Sequence, residues 1–192
     1  MLKRFTLFPM RGLLGLPLLL ALLWLPSVRA GTITLTAANE HITNDMVMID
    51  ADADFQFSDD AIKAINSGVP ITIEFDIRVS RPRKLLWDTE LLSAHREYVI
   101  ERHALSKQFI IADQITGDRR IHGSLELAID DLGRIRNLPI AEARQLEGEK
   151  DLDVAMRVRL AIRSLPGPLI PIAYVSPGWH MSSGWFRWQT QQ

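Results

Sequence analysis

Residues 58–83 read SDDAIKAINSGVPITIEFDIRVSRPR, a short capped helix that runs straight into an amphipathic strand. Ser58 offers the hydroxyl of an N-cap, Asp59 and Asp60 place negative charge where the helix dipole favours it, and Gly68 suits the left-handed position past the last turn. Ala61, Ile62 and Ile65 form a narrow apolar stripe suited to lying on a sheet. From Ile71 the period changes to two. Ile71, Ile73, Phe75, Ile77 and Val79 point one way, and Thr72, Glu74, Asp76, Arg78 and Ser80 the other. A strand with one wet face belongs in an antiparallel sheet, since parallel strands read as continuous apolar runs. Pro82 has no N–H for a ladder, so it ends the pairing or marks an edge.

Upstream, residues 32–36 alternate and are β-branched, which predicts an opening strand, and residues 39–45 read as a polar turn. Residues 46–57 alternate again, with Val47, Ile49, Ala51, Ala53, Phe55 and Phe57 on the inner face. Ala51 and Ala53 leave room for the Ser58 helix to pack closely. Downstream, residues 83–87 continue extended and residues 88–90 turn. Residues 91–103 fit neither period, and the β-rich Tyr98-Val99-Ile100 predicts a strand only over 96–103. Residues 108–112 return, and residues 117–120 turn. Ser124 caps a second helix carrying Leu125, Ala128, Ile129, Leu132 and Ile135, with Gly133 loosening its last turn. Residues 141–150 form a charged connector, residues 152–162 a further alternating strand, and residues 170–175 a last apolar strand placed at an edge by Pro171. The expected fold is mainly β within the α+β class: an antiparallel, sandwich-like sheet with two short covering helices.

With 192 residues, 47% hydrophobic and 23% charged, the composition is that of a globular chain, read as one β-rich domain over 31–192. Residues 1–30 read as a signal peptide. Lys3, Arg4 and Arg11 precede an apolar run over 12–26, and Val28-Arg29-Ala30 resembles a cleavage site. The run is shorter than the roughly 20 residues of a spanning helix and contains Pro17 and Pro26. The expected location is periplasmic, or otherwise exported, after cleavage. An uncleaved leader would instead anchor the chain in the inner membrane and supply its membrane contact. Without cysteine there is no disulfide, thiolate nucleophile or lipid-attachment site. The leader takes four of the 22 basic residues and none of the 23 acidic ones, leaving the remainder near about −5, the wrong sign for nucleic acid.

Taken together, the order of motifs resembles the bacterial domain of unknown function 4390 family. The pieces that carry the likeness are DADFQFS at 52–58, SGVPITIEFDIRVSRPR at 67–83, REYVIERHALSKQFII at 96–111, a helix near Leu125, MRVRLAIRSLPGP at 156–168 and the W-H-M-S-S-G-W box at 179–185. Such proteins often carry aromatic residues after R-P-R, where this chain has Lys84, Leu85, Leu86 and Trp87. The resemblance implies an exported proteobacterial protein and brings no activity, cofactor or catalytic residue with it.

Candidate sites are few. Asp50, Asp52 and Asp54 share one strand face at about 6.6 Å spacing, the geometry of a calcium or a two-carboxylate hydrolytic site. The calcium loop fails, with Phe55 where glycine belongs and Ala61 where glutamate belongs, and a solvated acidic face is the plain alternative. Arg78, Arg81 and Arg83, beside Lys84, form one basic stripe, and Arg157, Arg159 and Arg163 another. On neighbouring strands they would make a cationic patch, or else pair with Glu74 and Asp76. His41, His95, His103, His122 and His180 lack metal-ligand spacing, and Ser182 and Ser183 lack a nucleophile elbow. Trp179, Trp185, Phe186 and Trp188 suit a sugar-stacking platform or an interfacial anchor at a membrane surface, or else the closure of the core. No cofactor-binding pattern is present. The leading expectation is a non-enzymatic exported module that binds an envelope protein or anionic envelope component through its basic strand face. The alternatives are a hydrolase or lyase using the Asp50, Asp52 and Asp54 face, and an accessory of a membrane sensor.

Overall fold

A computed structural model describes residues 30–83 and 88–190. The leader and the segment from Lys84 to Trp87 lie outside the described residues. The elements run β1 (Thr32–Thr43), β2 (Met46–Gln56), α1 (Asp59–Asn66), β3 (Ile71–Arg81), β4 (Thr89–Arg102), β5 (Phe109–Asp113) and β6 (Arg119–His122), then α2 (Leu125–Gly133), β7 (Arg134–Glu142), β8 (Asp153–Leu160), α3 (Ile170–Val175) and β9 (Phe186–Gln189). All pairings are antiparallel. One sheet has the order β1-β2-β7 and the other β6-β5-β4-β3-β8-β9. Their inner faces meet in a buried cluster that includes Ile49, Phe55, Ile73, Phe75, Ile77, Ile135, Met156 and Val158, a sandwich-like arrangement.

The opening stretch folds as its chemistry dictates. The buried Ser58 Oγ accepts the Ala61 N–H at 3.2 Å, and Gly68 takes φ 83° past the end of α1. Isoleucines 71, 73 and 77 with Phe75 are fully buried, and Val79 nearly so. β3 thus lies in the middle of its sheet, between β4 and β8.

Several expectations are corrected. Residues 39–43 are strand, because Asn44 and Asp45 alone take positive φ and close a two-residue hairpin. β4 begins at Thr89, inside the expected turn, and spans the whole ambiguous stretch. Its alternation is obscured by a register shift opposite Val79 and by Arg96, which turns inward to donate to the Pro139 carbonyl at 2.5 Å. Arg119 and Arg120, expected in a turn, begin β6. Ile135 and Ala141 belong to a missed strand, β7, whose pairing with β2 is interrupted by two register shifts and by Asn137 at φ 51°. β8 ends at Leu160, and Ile162 opens a 3₁₀ turn. Residues 170–175 are helix, not strand. Pro171 lies in the first turn, where its missing N–H has no partner to lose. The structure therefore has three short helices among the described residues, and α2 is the one that lies on β2 at Ala53.

Candidate functional site

The two basic stripes do meet, because β8 pairs with β3. In register, however, Glu74 lies opposite Arg159 and Glu97, and Asp76 opposite Arg157 and His95. In the Asp76 row a carboxylate therefore stands between two basic side chains, whereas in the Glu74 row two carboxylates lie side by side with Arg159 next to them. Asp76 is the hub. It accepts from Arg157 Nη2 at 2.7 Å, His95 Nδ1 at 2.9 Å and Arg159 Nε at 3.1 Å. Arg159 Nη2 reaches Glu74 at 2.5 Å, and His95 Nε2 donates to Glu97 at 3.0 Å. Both nitrogens of His95 thus face carboxylates, an environment that favours the imidazolium. The guanidiniums of Arg78 and Arg157 lie 4.5 and 4.6 Å from the centroid of Trp185.

Burial alone would raise the Asp76 carboxyl, but hydrogen bonds from Arg157, His95 and Arg159 outweigh it and hold the group below its ordinary range. For His95 the hydrogen bond to Glu97 pushes the pKa up, partial burial opposes it, and Asp76 adds to the rise. A raised folded pKa means that the His95 contribution is complete below the unfolded value of about 6.5 and is lost as pH rises through the folded value. Asp76 has the opposite sign, contributing above the ordinary carboxylate range and losing that contribution as pH falls through its lowered value. The stability difference between the native chain and His95→Gln should therefore be larger at mildly acidic pH than at alkaline pH, measured as melting temperatures across that window. A difference that stays flat would remove His95 from the lattice.

The remaining candidates fall elsewhere. Arg81 Nε holds Glu149 at 2.7 Å, and Arg78 lies 3.8 Å from Glu90. Arg83 contributes its backbone N–H to Asp88. Arg163 Nε donates to the Tyr174 hydroxyl at 3.3 Å and has no carboxylate in ion-pair range among the described residues. On β2, Asp52 takes Arg136 at 2.6 Å, Asp50 accepts the Asn137 N–H at 2.7 Å, and Asp54 accepts the Gln56 amide at 3.1 Å, so the three carboxylates serve separate partners. Trp179 is 5% exposed and packs in the core, while Trp185 is half-buried on the charged face.

Glu74, His95 and Glu97 do bring ligand-type atoms within 4.8 Å of one another. Glu74 Oε2 is buried with no hydrogen bond of its own, but Arg159 stands in ion-pair contact with it and both His95 nitrogens face carboxylates, so cations of the chain already occupy the place a metal would take. The cluster is an ion-pair lattice. Beyond Arg159, where β8 ends, a groove of about 490 Å³ is lined by Glu74, Arg159, Arg163, Tyr174, His180 and Ser182 over Trp179. His180 is oriented by the Ser176 carbonyl at 3.1 Å from Nδ1. A larger trough of about 1150 Å³ lies between the β1–β2 turn and residues 142–149, and Glu40, Asp45, Glu142, Glu147 and Glu149 make it acidic.

The sequence reading missed Asp76 as a hub, the pairing of His95 with Glu97, and Tyr174. The H-x-E spacing at 95–97 was the available signal, since alternate residues share a strand face. A family model described as a domain of unknown function, number 4390, matches residues 30–189. The chain belongs to the domain of unknown function 4390 family. No curated protein and no solved structure matches it. In this member of the 4390 family, the charged lattice and the groove both lie within the matched residues.

Proposed function

We propose that this chain is an exported binding module that takes an anionic group of an envelope component into the groove between the end of β8 and α3. The observation that carries the reading is Arg163. Its guanidinium lines the groove and is bonded to a phenol, whereas Arg157 and Arg159 are neutralised by Asp76 and Glu74. A carboxylate or phosphate entering there would meet Arg163, the Tyr174 hydroxyl, His180 and Ser182, all capable of donating, with the one lining carboxylate, Glu74, ion-paired to Arg159. This narrows the basic strand face to the end that borders a groove, where Arg163 has no carboxylate in ion-pair range among the described residues. Arg157 and Arg159 serve as braces for the groove wall.

The test is binding of defined anions, namely glycerol phosphate, N-acetylmuramic acid and a monophosphorylated glucosamine, followed by thermal shift and calorimetry. At least one should bind the native protein. Arg163→Glu should weaken that binding about 10- to 100-fold, the value of a lost charge-assisted hydrogen bond, with an unchanged melting temperature because the side chain is exposed. Binding of none of the three, or equal binding by the variant, would overturn the reading.

A further inference from the structure

The end of the molecule where β8 finishes gathers features that the groove does not use. No charged residue occurs between Arg163 and His180. Within that span, on α3, Ile172 is 57% exposed and Val175 83% exposed. β4 runs antiparallel to β3, so the turn from β4 to β5 falls at the same end as the close of β8. That turn carries Leu105, 88% exposed, with Lys107 two residues away. Single exposed apolar residues are ordinary, but several large ones collected at one end of a domain mark a contact surface.

The described chain also enters the fold at this end. Gly31 is packed so closely that an added Cβ would stand 2.6 Å from Met181 Sδ and 2.6 Å from the Ser58 nitrogen. Ser58 in turn lies against Gly178, just past α3, where an added Cβ would be 3.3 Å from Ser58 Oγ. Ala30, exposed, therefore leaves the domain beside the apolar loop. Ahead of it in sequence stand the basic residues Lys3, Arg4 and Arg11 and the apolar run at 12–26, a stretch that partitions into lipid. No helix among the described residues is long and apolar enough to cross a membrane.

We infer that this end rests on a lipid bilayer carrying anionic headgroups, with Leu105, Ile172 and Val175 inserted and Arg163 and Lys107 at headgroup level. The charges and the apolar tips are arranged as in an interfacial segment, where apolar side chains enter the acyl boundary and basic ones meet phosphate. In a chain that keeps its leader, entry at this end sets the same orientation. Leu105, Ile172 and Val175 do not line the groove, so the insertion does not rest on the anion reading, and only the headgroup contact of Arg163 is shared with it.

The cysteine-free chain allows single-site labelling. The full chain carrying Val175→Cys, labelled with an environment-sensitive dye, is reconstituted in vesicles of phosphatidylethanolamine and phosphatidylglycerol. Glu147→Cys, in the acidic trough at the other end, is the comparator. Quenching by a nitroxide lipid should be severalfold greater at 175 than at 147, and Ile172→Asp should reduce it. Equal quenching at both positions, or quenching indifferent to Ile172→Asp, would overturn the inference. A spectral shift at 175 that grows with protein concentration without vesicles would overturn it in favour of a second copy of the chain. Undiminished quenching in phosphatidylcholine alone would overturn the part given to anionic headgroups.

Discussion

Replacing Phe75 with alanine is expected to cost about 3–5 kcal/mol of folding stability and to lower the melting temperature by on the order of 10 °C. The ring is fully buried at the middle of β3 and packs edge-on against Tyr98, with centroids 5.2 Å apart and planes at 83°. β3 is hydrogen-bonded on both sides, so the backbone has little freedom to collapse into the space left behind. Phe75→Leu keeps most of the volume and should lose much less. Urea unfolding with an unchanged denaturant slope would measure both. A Phe75→Ala midpoint close to that of the native chain would contradict the packing described. The next residue is Asp76 on the opposite face, so any tilt of β3 should also register in the titration of His95.

The second large effect concerns Gly133, and its sign is opposite to the usual one. Glycine to alanine near a helix end normally gains up to about 1 kcal/mol. At Gly133 a Cβ would stand 2.3 Å from the Ala53 carbonyl oxygen, part of a backbone fixed between β1 and β7. Gly133→Ala should therefore lose about 1–3 kcal/mol or more, as overpacking does. Gly123→Ala is the matched control, since a Cβ there meets no atom within 4 Å. If both variants melt alike, α2 does not approach β2 as described. The glycine read from sequence as a weak last turn is the point that lets the helix touch the sheet.

These two positions show how far the sequence carried. Phe75 was legible because β3 obeys one rule along its whole length, with an unbroken period of two and caps at the preceding helix. β8 was legible for the same reason. Where two rules competed, the pattern failed. β7 combines register shifts, a left-handed Asn137 and Pro139, so no period survives to be counted. Residues 170–175 are apolar and hold a proline, which suits an edge strand and a first helical turn equally until the chain around it is placed. The charged face was half legible. Alternation put Arg157 and Arg159 outward, but their neutralisation depends on register with Asp76 and Glu74 across strands about 80 residues apart in sequence, and periodicity within one strand says nothing about register. Arg163 stood out only by contrast, once its neighbours were seen to be paired.

The bond from Trp188 Nε1 to Glu40, at 2.5 Å, joins β9 to β1 across 148 residues. Among the described residues β9 has one strand partner, β8, and β1 has one, β2. An emerging chain, whether it leaves a ribosome or a translocation pore, thus makes its first strand long before the strand that bonds to that strand's flank exists. Hairpins such as β1–β2 and β3–β4 can form as they appear, but the bond between Trp188 and Glu40 forms only after the last strand is released. Such long-range pairing slows folding, and this tie between the two sheets is among the last contacts that a chain in synthesis can make.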